Sequence, residues 1–466
     1  MSVRLMVNDL VAATGGRLVV PPGGAVPAAV TGVTIDSRTA APGNLFVALR
    51  GTTTDGHRFV DDAAARGAVL ALVSEPPAAR GLPAIVVDDT LRALGAVAAL
   101  WRRQLAPVVV GITGSVGKTT TVALTAHVLA RRWRVARTAE SWNAELGVPL
   151  ALLGLRPHHE VAVLEMAMRG RGQIRALAAM ARPQLGVVTL IGDTHLELLG
   201  SHEAIAAAKA ELLESLPDDG LAIVNADDPW TPRVLRDVRS RVLRAGLGPD
   251  ADVRATAVAP AGDGMRFVLH GGGEQAEVLL PLPGRHQVQN AVLAAAVGVA
   301  LGLPVAEVAA GLRQARPPAM RQQVVLIDDV LVVDDSYNAS PQSMRAAFEV
   351  LDQVSGARRR VLVLGEMREL GPQAHELHRD VGRAAAAVRP AVLLAVGPAA
   401  RGYVEGAMAA GMPADALVWV PDVEAALPVV RGMVRAGDAV LIKGSRAVAM
   451  ERLVAGLGAG APAGSL

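Results

Sequence analysis

The decapeptide Gly-Ile-Thr-Gly-Ser-Val-Gly-Lys-Thr-Thr at 111–120 overlaps the end of an apolar run, 107–112, that reads as a buried strand. Glycines at 111, 114 and 117 let backbone N–H groups turn inward where a helix begins, which makes a nest for an anion. In such a nest Lys118 can bridge phosphate oxygens and the Thr119 hydroxyl can hold Mg²⁺. The spacing is not the strict Walker A pattern, which needs glycine where Ile112 stands. That points away from a motor or GTPase and toward a variant phosphate loop. Glu165 closes a second apolar run, 161–164. A carboxylate at the C-terminal end of a strand beside such a loop can take Mg²⁺ directly or through water.

A third chemical signal is a matter of scarcity. The chain has 43 arginines and three lysines, Lys118, Lys209 and Lys443. Where either cation would do, this chain carries arginine, so a retained lysine marks a place that needs a compact charge or a reactive amine. Lys209 lies two turns into a helix that Ser201 is placed to cap, and Ala206, Ala207, Ala208 and Ala210 surround it. Small neighbours permit close approach to a metal or a phosphate; the alternative is a surface lysine on an alanine-rich helix. His195, in the loop before that helix, reads on its own as a hydrogen-bonded loop histidine.

Two polar stretches follow, GRHQVQN at 284–290 and DDSYNASPQSM at 334–344. Asn290 on a helix start suits the edge of a purine, and Asp335 suits ribose hydroxyls, although spacing alone assigns neither. The stretch LIKGSRAVAM at 441–450 reads as a strand running into Lys443, Ser445 and Arg446 and then a helix. A helix N-terminus with two cations suits a carboxylate.

These residues need a scaffold. At 466 residues with 51% hydrophobic content, the chain has material for about three domains. The net charge of +2 excludes the polycationic surface of a non-specific nucleic-acid binder. Without cysteine there are no disulfides, thiol nucleophiles or zinc-thiolate sites. No run reaches the roughly 18 apolar residues of a membrane helix, and 291–303, the nearest to one, reads as a buried helix. A soluble, cytoplasmic protein is expected. The expected fold class is α/β with three domains: a small N-terminal mixed α/β domain (1–105), a central P-loop mononucleotide-binding domain with a mostly parallel sheet (106–318), and a C-terminal Rossmann-like domain (319–466). The boundaries rest on a linker at Arg102-Arg103-Gln104, on Arg316-Pro317-Pro318, and on the strand–helix alternation between them. The arginine clusters at 131–134 and 358–360 read as solvated helix ends.

Taken together, the motifs resemble the Mur ligase family of peptidoglycan biosynthesis over essentially the whole chain. The order GxxGxxGK[ST], strand-end glutamate, His-x-x-x-x-Gly-Ser, helix lysine, Gly-x-His-x-x-x-Asn and Asp-Ser-x-Asn is the family's. Within it, Asp-Ser-Tyr-Asn-Ala at 335–339, LGEMRELG at 364–371 and Lys-Gly-Ser-Arg at 443–446 match the member that adds D-alanyl-D-alanine to UDP-N-acetylmuramoyl-tripeptide. The alternatives are the diamino-acid-adding member and a non-catalytic nucleotide-binding module.

The resemblance implies an acyl-phosphate mechanism with ATP and Mg²⁺, small-molecule substrates, no nucleic acid, no membrane insertion and a monomer. It implies that Gly114, Ser115, Gly117, Lys118, Thr119 and Thr120 hold the ATP phosphates with Arg321, while Asn290, Asp335, Tyr337 and Asn338 hold the nucleoside. One Mg²⁺ would sit on Thr119 and Glu165, and a second on His195 and a carbamylated Lys209. Lys118, His195, Lys209 and Arg321 would form the catalytic set. Ser37, Arg38, His57 and Asn143 would contact the UDP-substrate, and Lys443, Ser445 and Arg446 the dipeptide carboxylate. Two positions depart from the family pattern: Ser141-Trp142-Asn143-Ala144-Glu145 stands for Asn-x-Asn-Asn-Glu, and Ser340 stands for the second asparagine of Asn-Ala-Asn.

Overall fold

The computed structural model describes residues 4–76, 82–139, 142–194 and 196–458. Among them are three larger sheets, one for each stretch of strand–helix alternation. The class is α/β with mostly parallel sheets in three domains, as expected.

The central sheet has nine strands, in the order Glu274–Leu280, Gly264–Gly271, Val253–Ala261, Arg241–Gly246, Leu221–Asn225, Leu185–Val188, Val108–Thr113, Val161–Glu165 and Val135–Arg137. The first three pair antiparallel, and the remaining ladders are parallel. Val108–Thr113 is first in the chain yet lies inside the sheet, with later strands on both sides. Strand order therefore reverses around it and opens a crevice at its C-terminal end. Apolar layers on both sheet faces explain why the parallel strands read as unbroken hydrophobic runs. One of the covering helices is Arg285–Ala300, buried along most of its length. No described helix is long and apolar enough to cross a membrane.

The N-terminal sheet runs Arg17–Val19, Ala84–Val86, Ala68–Val73, Asn44–Val47, Gly32–Thr34. Helix Thr90–Arg103 joins it to the central domain, capped by Asp89, whose carboxylate accepts from the N–H groups of Leu91 and Arg92. Its apolar face belongs to one core that continues into the central domain, and the Trp101 indole donates to the Leu155 carbonyl. The expected linker at 102–104 is corrected here. Arg102 and Arg103 form the last helical turn, and the Arg102 guanidinium is buried against the carbonyls of Ala181, Leu105 and Pro107. The arginine doublet read as a linker in sequence because nothing local shows the distant carbonyls that satisfy it.

The C-terminal sheet is ordered Gln323–Ile327, Val330–Asp335, Asp438–Lys443, Arg359–Gly365, Val392–Val396, Leu417–Val420. Its first two strands form a hairpin whose turn residues Asp328 and Asp329 have φ of 47° and 62°, as a two-residue primed turn requires. The second arginine cluster is also corrected: Arg359 and Arg360 open a strand, and Arg359 forks onto both carboxylate oxygens of buried Asp438 at 2.8 and 2.7 Å. Ser340 caps helix Pro341–Ser355 by accepting from the Ser343 N–H, so its serine substitutes one good capping residue for another.

Candidate active site

A cleft of about 560 Å³ opens at the C-terminal end of Val108–Thr113 and reaches the C-terminal sheet. The phosphate loop forms its floor. Gly114 and Gly117 have φ of 149° and 88°. A Cβ on Gly114 would stand 1.9 Å from the Thr189 hydroxyl, and one on Gly117 would stand 2.4 Å from Oδ1 of Asn290. Only glycine fits at either place. Ser115, Lys118, Thr119 and Thr120 line the same cleft, where helix Lys118–Leu129 begins. The Lys118 ammonium donates to the carbonyls of Gly114 at 2.9 Å and Ser115 at 3.2 Å.

Glu165 reaches this floor through strand register, since it lies opposite Ile112 in the parallel ladder. Its two carboxylate oxygens are engaged separately. Thr119 Oγ1 donates to Oε2 at 2.7 Å, and the Asn143 amide donates to Oε1 at 2.8 Å. Its backbone N–H donates to Thr138 Oγ1 at 3.1 Å. A buried hydroxyl and a buried carboxylate side by side, beside an anion nest, fit one Mg²⁺ completed by phosphate oxygens and water. Asn143, expected at the UDP end, is thus placed against Glu165.

Lys209 lies on helix His202–Glu214, which Ser201 caps as read. It is 1% exposed, which removes the surface-lysine alternative. Burial pushes its amine well below the ordinary lysine value; the Lys118 charge adds to that shift, and Glu165 opposes it. Burial also lowers Lys118, with Glu165 opposing and Arg321 adding. His195 lies outside the described residues. Its neighbour Thr194 lines the cleft and donates to the Ser115 carbonyl at 3.4 Å.

The C-terminal domain supplies the opposite wall. Arg321 sits between Met320 and Gln322, both at positive φ (56° and 55°), and its guanidinium stacks 4.1 Å above the Tyr337 ring. Asn338 and Asp335 line the cleft beside them. Asp335 is only 6% exposed and accepts from the Lys443 ammonium at 2.7 Å. Lys443 also donates to the Asn338 carbonyl at 2.8 Å. Burial pushes Asp335 up and Lys443 down, and each opposes the other's shift.

Lys443 was expected to receive the dipeptide carboxylate; instead its charge is committed to Asp335. Ser445 is likewise turned inward, its hydroxyl accepting from the Arg368 N–H and its N–H donating to the Glu366 carbonyl. The expected helix N-terminus is also corrected. Arg446–Val448 is a single 3₁₀ turn, and the helix proper starts at Glu451. Arg446 remains exposed, paired with Glu451 at 2.9 Å and 5.8 Å from the Tyr337 ring centroid.

Ser37, Arg38 and His57 are in the N-terminal domain, apart from the lining of this cleft. Arg38 forks onto Asp36, whose carboxyl its side-chain bond pulls down to about 2. His57 accepts from the Ser74 N–H on Nε2, which leaves Nδ1–H to donate to Asp55 at 2.6 Å. Beside it, Gly51 to Asp55 and Arg58 line a separate surface hollow.

Sequence reasoning missed Thr138, Gln287 and Gln322. The i, i+3 spacing of Gln287 and Asn290 on one helix was available as a signal; Thr138 and Gln322 had none.

Comparison with known proteins follows the same division. Residues 29–110 match the Mur ligase family catalytic domain, 112–298 the Mur ligase middle domain, and 320–446 the Mur ligase glutamate ligase domain. The chain belongs to the Mur ligase family. Among its Mur ligase relatives, the UDP-N-acetylmuramoyl-tripeptide–D-alanyl-D-alanine ligase of Mycobacterium tuberculosis is 38% identical over 510 residues, covering 99% of this chain and 98% of that one. The Escherichia coli ligase of the same name is 36% identical, covering 91% and 93%. Among solved structures, MurF from Acinetobacter baumannii superposes with a TM-score of 0.88 at 33% identity, covering 98% and 99%. MurF ligase from Thermotoga maritima in complex with ADP gives 0.81 at 27% identity, covering 92% and 97%.

Proposed function

We propose that this Mur ligase joins D-alanyl-D-alanine to UDP-N-acetylmuramoyl-tripeptide at the expense of ATP, in peptidoglycan precursor synthesis. The observation that carries the reading is the convergence of Lys118 and the Thr119–Glu165 pair at one phosphate loop. The full-length match to ligases named for this reaction supports the choice of amine.

ATP phosphates lie on the backbone N–H groups of 114–120, with Lys118 swinging from the loop carbonyls onto phosphate oxygens. Arg321 flanks the phosphates, Asn290 faces adenine, Asp335 faces the ribose, and Tyr337 and Asn338 border the base. Thr119 and Glu165 would hold Mg²⁺, which would supply charge neutralisation for phosphoryl transfer. Asn143 keeps the Glu165 carboxylate turned toward that position. A carboxylate is a poor electrophile, so an oxygen of the tripeptide carboxylate attacks the γ-phosphorus, ADP departs, and a mixed anhydride results. The deprotonated amine of the dipeptide attacks the acyl carbon, and phosphate leaves with the bonding electrons. Walls from two domains exclude water from the anhydride meanwhile.

Lys209 is read as a carbamate. Its burial favours the neutral amine, which attacks CO₂, forms an N–C bond and loses a proton. The product is an anionic oxygen donor, suited with His195 to a second Mg²⁺. Ser37, Arg38 and His57 serve the UDP end, and Arg446 the dipeptide carboxylate.

The test is ADP release from purified enzyme with each substrate omitted in turn. Release that requires both UDP-tripeptide and D-alanyl-D-alanine is expected. Release driven by a free diamino acid, or by ATP alone at the full rate, would overturn the reading.

A further inference from the structure

Between the helix that follows the phosphate loop and the start of the C-terminal domain runs one chain of side-chain hydrogen bonds. Thr121 Oγ1 donates to Asn290 Oδ1 at 3.4 Å, and Asn290 Nδ2 donates to Gln287 Oε1 at 3.0 Å. Gln287 Nε2 donates to Gln322 Oε1 at 2.8 Å. Gln322 precedes Gln323, which pairs with Asp334 across the hairpin, so it stands next to Asp335 in the cleft lining, and Asp335 receives the Lys443 ammonium. Every amide points the same way. Each presents its oxygen to the phosphate-loop side, which leaves the Gln322 amino group for the C-terminal side, where Asp335 is the acceptor-only group.

Gln322 is the junction. It lies in the segment joining the two domains, is 7% exposed, and holds a left-handed φ of 55° that a glutamine adopts only under constraint. Its oxygen also accepts from His286 Nε2 at 2.7 Å, so two donors of helix Arg285–Ala300 converge on it. With Nε2–H donating, His286 Nδ1 is left buried with no partner in the structure. Donation to an amide oxygen is what fixes the tautomer, and among the described residues the Gln322 oxygen is the ring's one hydrogen-bond partner. A buried amide with two donors on one side and a carboxylate on the other fits in one orientation only.

We propose that Gln322 is a positioning residue that latches the C-terminal domain onto the ATP site and sets the orientation of Asp335 within it. The inference rests on the reading of this cleft as the nucleotide site. The latch links Asn290, which borders Gly117, to Asp335 and Lys443, so nucleotide contacts from the two domains form together. Neither methionine nor glutamate can replace it. Methionine keeps the length and loses both bonds. Glutamate keeps the two bonds from the helix but sets a carboxylate against Asp335. The charged groups around that position are His286 on the helix, Arg321 in the joining segment, Asp334 beside Asp335, Lys443 on the neighbouring strand, and Glu349, whose charge acts on His286.

The experiment measures binding of ADP with Mg²⁺ to the full chain by calorimetry, from about pH 6 to about pH 8.5, where crowded carboxyls take up a shared proton. Loss of the two hydrogen bonds from the helix predicts about tenfold weaker ADP binding by Gln322→Met at every pH. Gln322→Glu is expected to be as weak at the alkaline end and to recover at the acid end, relative to the wild-type profile. A residue that merely filled space would weaken both variants equally with no added pH dependence, and that result overturns the proposal, as does wild-type affinity in both. If either variant fails to fold, Gln287→Met breaks the chain one link earlier, and its normal ADP binding would overturn the proposal too. Because ADP binding needs no ligation, failure of the latch and failure of the ligase reading are separate outcomes.

Discussion

Asp335 and Lys443 stand opposite each other in register on adjacent parallel strands, with their charges 2.7 Å apart and both side chains buried. The pair is 108 residues apart in sequence. It changes what Lys443 is for. A lysine whose ammonium is shared between a carboxylate and the Asn338 carbonyl shapes the wall of the cleft before it can meet any substrate.

Lys443→Ala therefore strands a buried carboxylate, and breaking a buried pair from one side costs about 3–5 kcal/mol. Chemical denaturation should show a loss of that order, and Asp335→Asn added to it should restore part. A Lys443→Ala protein of wild-type stability, with only its KM for the dipeptide raised, would return Lys443 to the amino-substrate site.

Arg446 makes the opposite case. It is exposed and held by one surface ion pair, so Arg446→Ala should change stability by less than about 0.5 kcal/mol. Its KM for D-alanyl-D-alanine should rise while that for ATP stays near wild type. Equal losses for both substrates would place it elsewhere in the mechanism.

Lys118→Arg should abolish turnover. The Nζ site lies between two loop carbonyls at 2.9 and 3.2 Å, room for an ammonium and too little for a planar fork. Steady-state ADP release near the wild-type rate would remove Lys118 from the phosphate chemistry.

Lys209 predicts a pH dependence of stability. Its amine is pushed down by burial, so in the unfolded chain, where a lysine titrates at about 10.4, it binds more protons than in the fold. Stability must then rise with pH from the depressed value up to about 10.4. Lys118 and Lys443, lowered in the same direction, contribute in the same sense. In CO₂-free buffer Lys209→Met should raise stability at neutral pH and flatten that rise. An unchanged slope in urea titrations across the alkaline range would mean that Lys209 is solvated.

The sequence by itself determined the phosphate loop, the strand-end glutamate, the Ser201 cap and the α/β alternation. Each is a local property: glycine conformational freedom, a carboxylate ending an apolar run, a hydroxyl before a helix, a period in hydrophobicity. It also singled out three lysines by scarcity, and all three prove buried or bound to backbone in the cleft. Tertiary structure alone decided which group neutralises which. The Asp335–Lys443 pair follows from strand order, since Asp438–Lys443, late in the chain, lies between Val330–Asp335 and Arg359–Gly365. Asn143 meets Glu165 because loops at neighbouring strand ends converge, and Arg102 is buried because distant carbonyls turn toward it. Gln322 becomes a junction only when two domains meet across it. Charge and hydrogen-bonding capacity are written in the residue, but their satisfaction depends on partners that only sheet order and domain contact bring within reach.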